Sequence, residues 1–369
     1  MTVKPMSDGV FALNDEGCDA FDRLACPVDK LPFVRSGEWL ECDRGHRYPI
    51  VQGVPVLLRE DVAQTIGLAA RSREMAVLWA EGERSDPFFV DTLGISEMEK
   101  AQVRDGLATG GGTVDAVISN LVGATNGILY KGLIGNLDRV PIPQMRLPTA
   151  PAAEARRLLD IGCSWGRWSL AAAASNYKPI GIDPSLGAVL AARRLARMRG
   201  LPFEGIVGYA RYLPLRSDTF DAVFSYSVLQ HFSKDSARTA IKEAARVLRP
   251  DGSFRIQMAS ATGVRSLQHM AKRGFREPSG FEVRYWLPLT LLREFRSTFG
   301  DAHLEVDCFF GLGLQASDYD LYGAAGRALL SISEALRKTS RVVPPLKHAA
   351  DSLYIVGRNS RKSATGVPQ

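Results

Sequence analysis

Two short apolar runs of this chain end at residues that could bind a ligand. One run is followed by a glycine turn, and the other ends at a carboxylate. The apolar run 158–161 leads into a turn that contains Gly162 and Gly166, and the run 180–182 ends at Asp183. A glycine turn at the carboxyl end of a strand brings backbone N–H groups and a helix N-terminus against a ligand. An acid at the end of the next strand accepts hydrogen bonds from two ribose hydroxyls. The pattern therefore predicts a nucleoside site.

Such a site is positioned by strands that alternate with helices. The sequence of residues 151–260 predicts this alternation. Strands are predicted near 157–161, 179–182, 203–207, 220–225 and 253–258, and helices near 168–175, 186–198 and 234–247. This order predicts a parallel sheet with helices on both faces. Further patterns predict a helix at 289–299, a strand at 304–310, a helix at about 321–339 and a last strand at 352–356.

Five motifs in this region have the order and spacing of a known enzyme family. They are 158–166, 180–183, 211–215, 220–225 and 246–252. Together they resemble the class I S-adenosylmethionine (SAM)-dependent methyltransferases, strongly over about 155–260 and weakly over the C-terminal third. The resemblance implies an α/β fold with a Rossmann-like, doubly wound sheet of seven strands, the last of them antiparallel. It also implies methyl transfer with SAM as the cofactor.

The resemblance places the cofactor on particular residues. Asp160, Gly162 and Gly166 would shape the turn around the methionine part of SAM, and Asp183 would bind the ribose, with or without a second role as a helix cap before Pro184. The remaining residues assigned to the cofactor are Cys163, Pro184, Tyr209, Ala210 and Ser225.

Two positions depart from the family pattern. Ser164 stands where the family has its second glycine, and the small serine would be tolerated there if its backbone angles are ordinary. Tyr209 stands where many relatives have an acid that contacts the adenine, so we expect it to stack on the base, or the base to be bound by backbone alone.

His231 follows the fourth predicted strand, between the expected cofactor and acceptor positions. Methyl transfer from a sulfonium requires donor and acceptor in line, with a base if the acceptor carries a proton. A histidine titrates near neutral pH, so His231 is the candidate general base. A residue that hydrogen-bonds locally or lines the cofactor pocket is an equal alternative.

The N-terminal part contains a second group of chemically active residues. Cys26, Asp29, Cys42 and His46 have the spacing of a four-ligand zinc ribbon in which aspartate replaces one cysteine. Residues 24–58 resemble the small zinc-ribbon proteins that activate partner methyltransferases, and the ribbon of some rRNA guanine methyltransferases. Because this ligand set is unusual, a ribbon without its metal is favoured over a zinc-loaded one. Either form would act in cis on its own catalytic domain.

These motifs divide the chain into five parts. We expect a flexible leader at 1–22, a zinc-ribbon-like module at 23–60, and a helical connector at 61–150 that packs over the cofactor mouth. The methyltransferase domain would cover 151–357, and a disordered tail 358–369.

Composition narrows the class of protein. Of the 369 residues 46% are hydrophobic and 23% charged, which is ordinary for a globular protein. The net charge of +6 permits an RNA partner without requiring one. The chain lacks an apolar run of about 18 residues, so no membrane span is expected. Five scattered cysteines and an acidic leader without a signal-peptide pattern favour the cytoplasm.

The methyl acceptor stays open between two classes. A small molecule would be enclosed by the insertions 261–287 and 311–345, which supply the aromatic residues Phe275, Phe281, Tyr285 and Trp286. RNA would use the ribbon and the basic residues Arg265, Lys272, Arg273, Arg276 and Arg284. The sequence favours the small molecule. A non-catalytic scaffold that binds SAM poorly is the third hypothesis, because of Ser164 and Tyr209, and its protein partner is unknown.

Overall fold

The structure is a computed structural model that describes residues 21–63, 67–110, 114–125, 137, 139–147 and 156–360. Nearly all of the predicted leader and most of the predicted tail lie outside the described residues. Within the described part of the chain, no helix is both long enough and apolar enough to cross a membrane.

The N-terminal module is a four-stranded antiparallel sheet. Its strands are β1 (Phe33–Ser36), β2 (Trp39–Cys42), β3 (Arg47–Val51) and β4 (Val54–Pro55), paired in chain order. β3 and β4 are joined by Gln52 and Gly53, whose φ angles of 50° and 80° are those of a tight hairpin turn. The predicted small β-rich module is confirmed.

Three helices connect this module to the rest of the chain: α1 (Leu68–Ala80), α2 (Glu97–Thr109) and α3 (Ala116–Thr125). α2 was not predicted as a separate helix, although the sequence carries the signals for it. Ser96 and Glu99 form a capping box at its start, and Gly110 ends it with a φ of 62°.

The main sheet has seven strands: β5 (Arg156–Ile161), β6 (Tyr177–Asp183), β7 (Glu204–Val207), β8 (Phe220–Ser225), β9 (Leu248–Ala259), β10 (His303–Cys308) and β11 (Ser352–Arg358). Their spatial order is β7-β6-β5-β8-β9-β11-β10. The strands from β5 to β9 are parallel, and β11 is antiparallel to both of its neighbours. This confirms the predicted sheet with its antiparallel last strand. The strand order reverses between β5 and β8, and ligands bind at the carboxyl ends of strands beside such a reversal.

Helices cover both faces of this sheet: α4 (Arg167–Ala173), α5 (Leu186–Met198), α6 (Lys234–Val247), α7 (Val264–Lys272), α8 (Pro288–Phe299) and α9 (Ala324–Thr339). α6 and α8 bury their apolar residues in one cluster, whereas α4 and α5 bury theirs in others. The doubly wound arrangement is therefore confirmed. α7 was not predicted, because the polar composition of 261–287 hides its helical periodicity.

The N-terminal module docks on the β7 edge of the main sheet. The Leu57 N–H donates to the Val207 carbonyl at 2.7 Å, and the Ala25 N–H donates to the Pro214 carbonyl at 3.0 Å. Leu24 and Leu40 lie in the same apolar cluster as the main sheet. The module thus covers an edge strand that would otherwise be open to pairing with another chain.

Candidate functional site

The glycine turn between β5 and α4 needs its glycines. Gly162 and Gly166 have φ angles of 76° and 84°, in the left-handed region. A Cβ on Gly162 would lie 2.1 Å from Cγ2 of Val228, and one on Gly166 would lie 2.8 Å from Cβ of Ala192. Both positions therefore combine a left-handed backbone with close approach, and only glycine meets the two conditions.

Ser164 shares this left-handed geometry, so the condition of ordinary backbone angles is not met. Its φ is 46°, and its N–H donates to Oδ2 of Asp183 at 3.0 Å. A side chain in this region crowds the backbone, so the turn imposes strain on the serine. The departure from glycine is tolerated at a cost in conformational energy.

Ser164→Gly should therefore raise the free energy of unfolding by about 0.5–1 kcal/mol, because glycine adopts this φ without a steric penalty. Thermal or denaturant unfolding measures the change. The matched control is Ser297→Gly in α8, which should lower stability by about 0.5–1 kcal/mol, since glycine weakens a helix interior. A Ser164→Gly variant less stable than the parent would contradict the strain argument.

Asp183 connects the glycine turn to the start of α5. Its Oδ2 accepts the Ser164 N–H, and its Oδ1 accepts the Ser185 N–H at 2.9 Å. Each carboxylate oxygen keeps a second lone pair for a ligand hydroxyl. Burial raises the pKa of this carboxyl to about 6. The helix cap is Ser185, which accepts the Ala188 N–H, so the expectation that Asp183 caps α5 is wrong.

Three of the predicted cofactor residues are buried and support the glycine turn. Asp160 is buried and accepts the Ser169 hydroxyl at 2.7 Å, which ties β5 to α4. Burial raises the pKa of Asp160 to about 7. Ser225 donates to the Ile161 carbonyl at 2.9 Å, and Cys163 is buried beneath the turn. Their side chains hold the turn in shape.

Tyr209 and Ala210 follow β7 at the same edge of the sheet, and both are almost fully buried. Tyr209 belongs to an apolar cluster with Val56 of the N-terminal module and Trp79 of α1. Adenine stacking on Tyr209 stays a prediction. Pro184 is partly exposed beside Asp183.

The connector reaches the N-terminus of α5, next to Asp183. The Ser185 hydroxyl donates to the Thr92 carbonyl at 2.7 Å. The Gly187 N–H donates to the Thr92 hydroxyl at 2.8 Å. The Ser72 hydroxyl accepts the Leu186 N–H at 3.1 Å. Connector side chains thus satisfy helix N–H groups that would otherwise lack partners.

His231 lies in the segment after β8 and is fixed by residues 278–286. Its Nδ1 donates to the Phe281 carbonyl at 2.7 Å, and its ring is parallel to that of Phe281 at a centroid distance of 3.9 Å. Arg284 donates to the His231 carbonyl at 2.8 Å. Burial lowers the pKa of His231, so it is neutral near pH 7. The backbone of Ser227 also hydrogen-bonds to the ring. With the proton on Nδ1, the lone pair of the neutral imidazole is on Nε2.

The structure also assembles a polar cluster that the sequence analysis missed. Tyr226 donates its hydroxyl to Asp307 at 2.8 Å and accepts a hydrogen bond from Gln315 at 2.8 Å. Asp307 also accepts the Ser352 hydroxyl at 2.7 Å, and Gln257 donates to Ser352. These residues come from β9, β10, β11 and two loops, so no local sequence pattern indicated them. Tyr226 directly follows β8, so this member of the cluster lies at the carboxyl end of that strand.

A family model described as "Methyltransferase domain" matches residues 158–252, which hold the glycine turn, Asp183 and His231. The seven-stranded order with an antiparallel β11 is the one that the class I resemblance implied. This chain contains a class I methyltransferase domain.

Curated relatives match the methyltransferase domain over part of their length. An uncharacterized methyltransferase of Bacillus subtilis (strain 168), YcgJ, is 34% identical over 113 residues, which are 30% of this chain and 43% of that protein. The human protein named "Probable tRNA methyltransferase 9B" is 38% identical over 100 residues, 27% of this chain and 20% of that protein. The chain thus spans less than half the length of these relatives.

Solved structures show partial similarity. The crystal structure of Bacillus YcgJ aligns with a TM-score of 0.38 at 21% identity, over 56% of this chain and 93% of that one. A complex that contains the Trm112 methyltransferase activator of Haloferax volcanii aligns with a TM-score of 0.40 at 16% identity, over 72% of this chain and 100% of that one.

A buried ion pair joins the methyltransferase domain's glycine turn to a distant loop. Arg167, the first residue of α4, donates from Nη2 to Oδ1 and Oδ2 of Asp318 at 2.7 and 2.8 Å. Both side chains are buried. The pair fixes residues 316–321 against the start of α4, next to Gly166.

The four predicted metal ligands come together in the N-terminal module. The ligand atoms of Cys26, Asp29, Cys42 and His46 all lie within 4.8 Å of one another. His46 Nδ1 is 3.0 Å from Asp29 Oδ2, 3.3 Å from Cys42 Sγ and 3.5 Å from Cys26 Sγ. Zinc bonds of about 2.0–2.3 Å in a tetrahedron place ligand atoms roughly 3.3–3.8 Å apart, so this donor set fits zinc.

Proposed function

We propose that this chain is a SAM-dependent methyltransferase that acts on a small-molecule acceptor. The observation that carries the proposal is the left-handed glycine turn joined to Asp183, whose oxygens keep lone pairs for two hydroxyls. SAM, when bound, would supply a methyl group on a sulfonium, which leaves readily. The turn would bind its methionine part, and Asp183 its ribose.

Acceptor binding would use the edge of the sheet next to this turn. The Tyr226 hydroxyl, held by the buried Asp307, would provide a fixed polar group there, and His231 would provide a neutral imidazole. A pocket with few, convergent polar groups suits a small molecule better than a nucleic acid. Trp286 is buried in the core, however, so it cannot form the lid over an enclosed pocket that the sequence suggested.

RNA methylation is the second candidate. It is favoured by the human relative named as a tRNA methyltransferase, together with the docked N-terminal module. Binding of RNA through phosphates would weaken steeply as salt rises, whereas binding of an uncharged small acceptor would not.

Calorimetric titration of the full chain with SAM and with its demethylated product tests the proposal. Micromolar binding of both is expected, followed by methyl transfer to small acceptors in preference to RNA. Absence of binding would support the non-catalytic scaffold instead. Transfer only to RNA would replace the small-molecule proposal with the second candidate.

His231→Ala should lower kcat by about a hundredfold or more and leave SAM affinity unchanged, because a positioned base contributes about 10²–10⁴-fold. Phe281→Leu is the matched control, since it removes the stacked ring but keeps the carbonyl that holds Nδ1. If His231 only fastens residues 278–286, both variants should lose activity alike. An equal loss of SAM affinity and turnover would make His231 a pocket residue.

We further propose that the N-terminal module holds one zinc ion through Cys26, Asp29, Cys42 and His46. The geometry supports this, against the sequence expectation of a metal-free ribbon. Because Cys26 and Cys42 are buried between the sheets, the ion would stabilise the docked module. A helper role in cis, and not the methyl transfer itself, is the function we assign to it.

Elemental analysis of the purified chain should give about one zinc per molecule. Asp29→Ala should lower this content and the melting temperature, whereas Asp43→Ala, an exposed aspartate of the same module, should change neither. A zinc content near zero, in protein produced with ample zinc, would contradict this proposal and support a metal-free module.

The four described cysteines are all free thiols. Unpaired buried thiols support a reducing compartment, and we propose the cytoplasm.

A further inference from the structure

The insertion after β9 presents an apolar surface that no other part of the described chain covers. We call residues 261–289 the flap: α7, the segment that returns from it, and the first residues of α8. Six of its large apolar side chains are 47–68% exposed. One of them, Phe281, has its ring stacked on His231. The other five are Val264, Leu267, Phe275, Leu287 and Leu289, and we call them the apolar face of the flap. Exposed apolar side chains concentrated in one segment, and not scattered singly, indicate an interaction site.

Within α7 the apolar residues lie on the side turned away from the protein. Val264 and Leu267 are neighbours on one helix face, and both are exposed. Ser266, on the opposite side, is buried and donates its N–H to Asp351 at 2.7 Å. The helix therefore binds the domain through a polar residue and exposes its apolar stripe.

Hydrogen bonds hold the flap in this arrangement. His269 Nδ1 is 3.0 Å from the Tyr285 hydroxyl, and Arg273 donates to the Val283 carbonyl at 3.2 Å. The Ala261 N–H donates to the Trp286 carbonyl at 2.8 Å. The exposed apolar side chains thus belong to a folded unit.

The charge of the flap complements an anionic surface. It contains five basic and two acidic residues, a net charge of +3. Arg265 and Lys272 are exposed on α7 beside the apolar stripe. A helix with exposed apolar residues flanked by basic ones lies in the interface of an anionic bilayer.

We propose that the flap docks this protein on an anionic membrane surface, with its apolar face at headgroup depth. Four of the five apolar residues are aliphatic and offer no ring on which a nucleic-acid base could stack. The ring of Phe281 is already stacked on His231. These features favour lipid over single-stranded RNA.

The flap also contacts the proposed acceptor side of the site. Arg284 donates from its backbone N–H to the Gln230 carbonyl at 2.7 Å and from its side chain to the His231 carbonyl. Docking would therefore bring His231 toward the membrane surface. This step rests on the proposed function: the acceptor would be an amphiphilic small molecule that partitions into the bilayer.

Vesicle co-sedimentation of the full chain, without SAM, tests the docking. The chain should bind vesicles of phosphatidylcholine mixed with phosphatidylglycerol, bind phosphatidylcholine alone more weakly, and lose affinity as salt rises. Leu267→Gln combined with Phe275→Ser should lower the affinity for vesicles at least about tenfold, because each of these side chains would be transferred from water into the bilayer. Arg265→Gln combined with Lys272→Gln should reduce the preference for the anionic vesicles.

Two controls match these variants. Ile332→Gln replaces an equally exposed residue of α9, and Lys338→Gln with Arg341→Gln removes two exposed charges elsewhere. Neither should change vesicle binding. Failure to bind anionic vesicles, or binding that the flap variants leave unchanged, would overturn the proposal. The proposal would also be overturned if the chain formed a dimer, or bound single-stranded RNA, and the flap variants but not the controls abolished that interaction. Because SAM is absent, this result is independent of the test of the proposed function.

Discussion

Asp183→Ala is expected to lower the affinity for SAM by at least about a hundredfold. Two hydrogen bonds from ribose hydroxyls to a carboxylate contribute about 1.5–3 kcal/mol each, and 1.4 kcal/mol corresponds to a factor of ten. The structure adds a second consequence: the Ser164 and Ser185 N–H groups lose their acceptor. A loss of about 1–2 kcal/mol in the free energy of unfolding should therefore accompany the loss of binding.

Calorimetry and thermal melting separate the two effects. Asp301→Ala is the matched control, because Asp301 is exposed and precedes β10, at the opposite edge of the sheet from the site. It should change neither quantity. Unchanged SAM affinity in Asp183→Ala would remove the ribose assignment, whatever the change in melting temperature.

Affinity for SAM should also fall as the pH drops through about 6. Burial raises the pKa of Asp183 to about 6, and only its ionised form presents acceptors to both hydroxyls. A bound ribose favours the carboxylate, so binding is complete above this pKa and lost below it. Asp160, with a pKa of about 7, titrates nearby. The pH dependence that persists in Asp183→Asn would belong to Asp160.

Asp318→Asn should be among the most destabilising single substitutions in this chain. The side chain of Arg167 is 5% exposed and that of Asp318 is fully buried, so the variant removes a buried negative charge that lies against the guanidinium. Removing one partner of a buried pair costs about 3–5 kcal/mol, which lowers the melting temperature by on the order of 10 °C. Because Arg167 begins α4 directly after Gly166, SAM binding should weaken too.

Asp320→Asn is a control from the same loop. Asp320 pairs with Arg139 at 3.1 Å, but both side chains are largely exposed, and such a pair contributes at most about 1 kcal/mol. Arg167→Met combined with Asp318→Leu should recover most of the stability, since an apolar pair of similar size avoids the unpaired charge. Similar melting temperatures for Asp318→Asn and Asp320→Asn would show that the buried pair is not decisive.

The family, the succession of strands along the chain and the glycine turn were predictable because their signals are local. Gly162 and Asp183 each lie at the end of an apolar run, and each run by itself predicts a strand. The positions of Cys26, Asp29, Cys42 and His46 followed in the same way from spacing within a short module. Only their shared geometry, with all ligand atoms within 4.8 Å, turns the unusual ligand set into a fit for zinc.

The sequence by itself determined which residues form the glycine turn, because glycines at the end of a strand restrict the backbone locally. The tertiary structure alone decided what surrounds that turn. Tyr226 and Asp307 are 81 positions apart, and Arg167 and Asp318 are 151 apart, so only the packing of distant elements brings them together. It also joined Ser164, whose φ is 46°, to Asp183, which lies outside the turn and accepts the Ser164 N–H. Contacts between distant parts of the chain leave no periodic trace in the sequence.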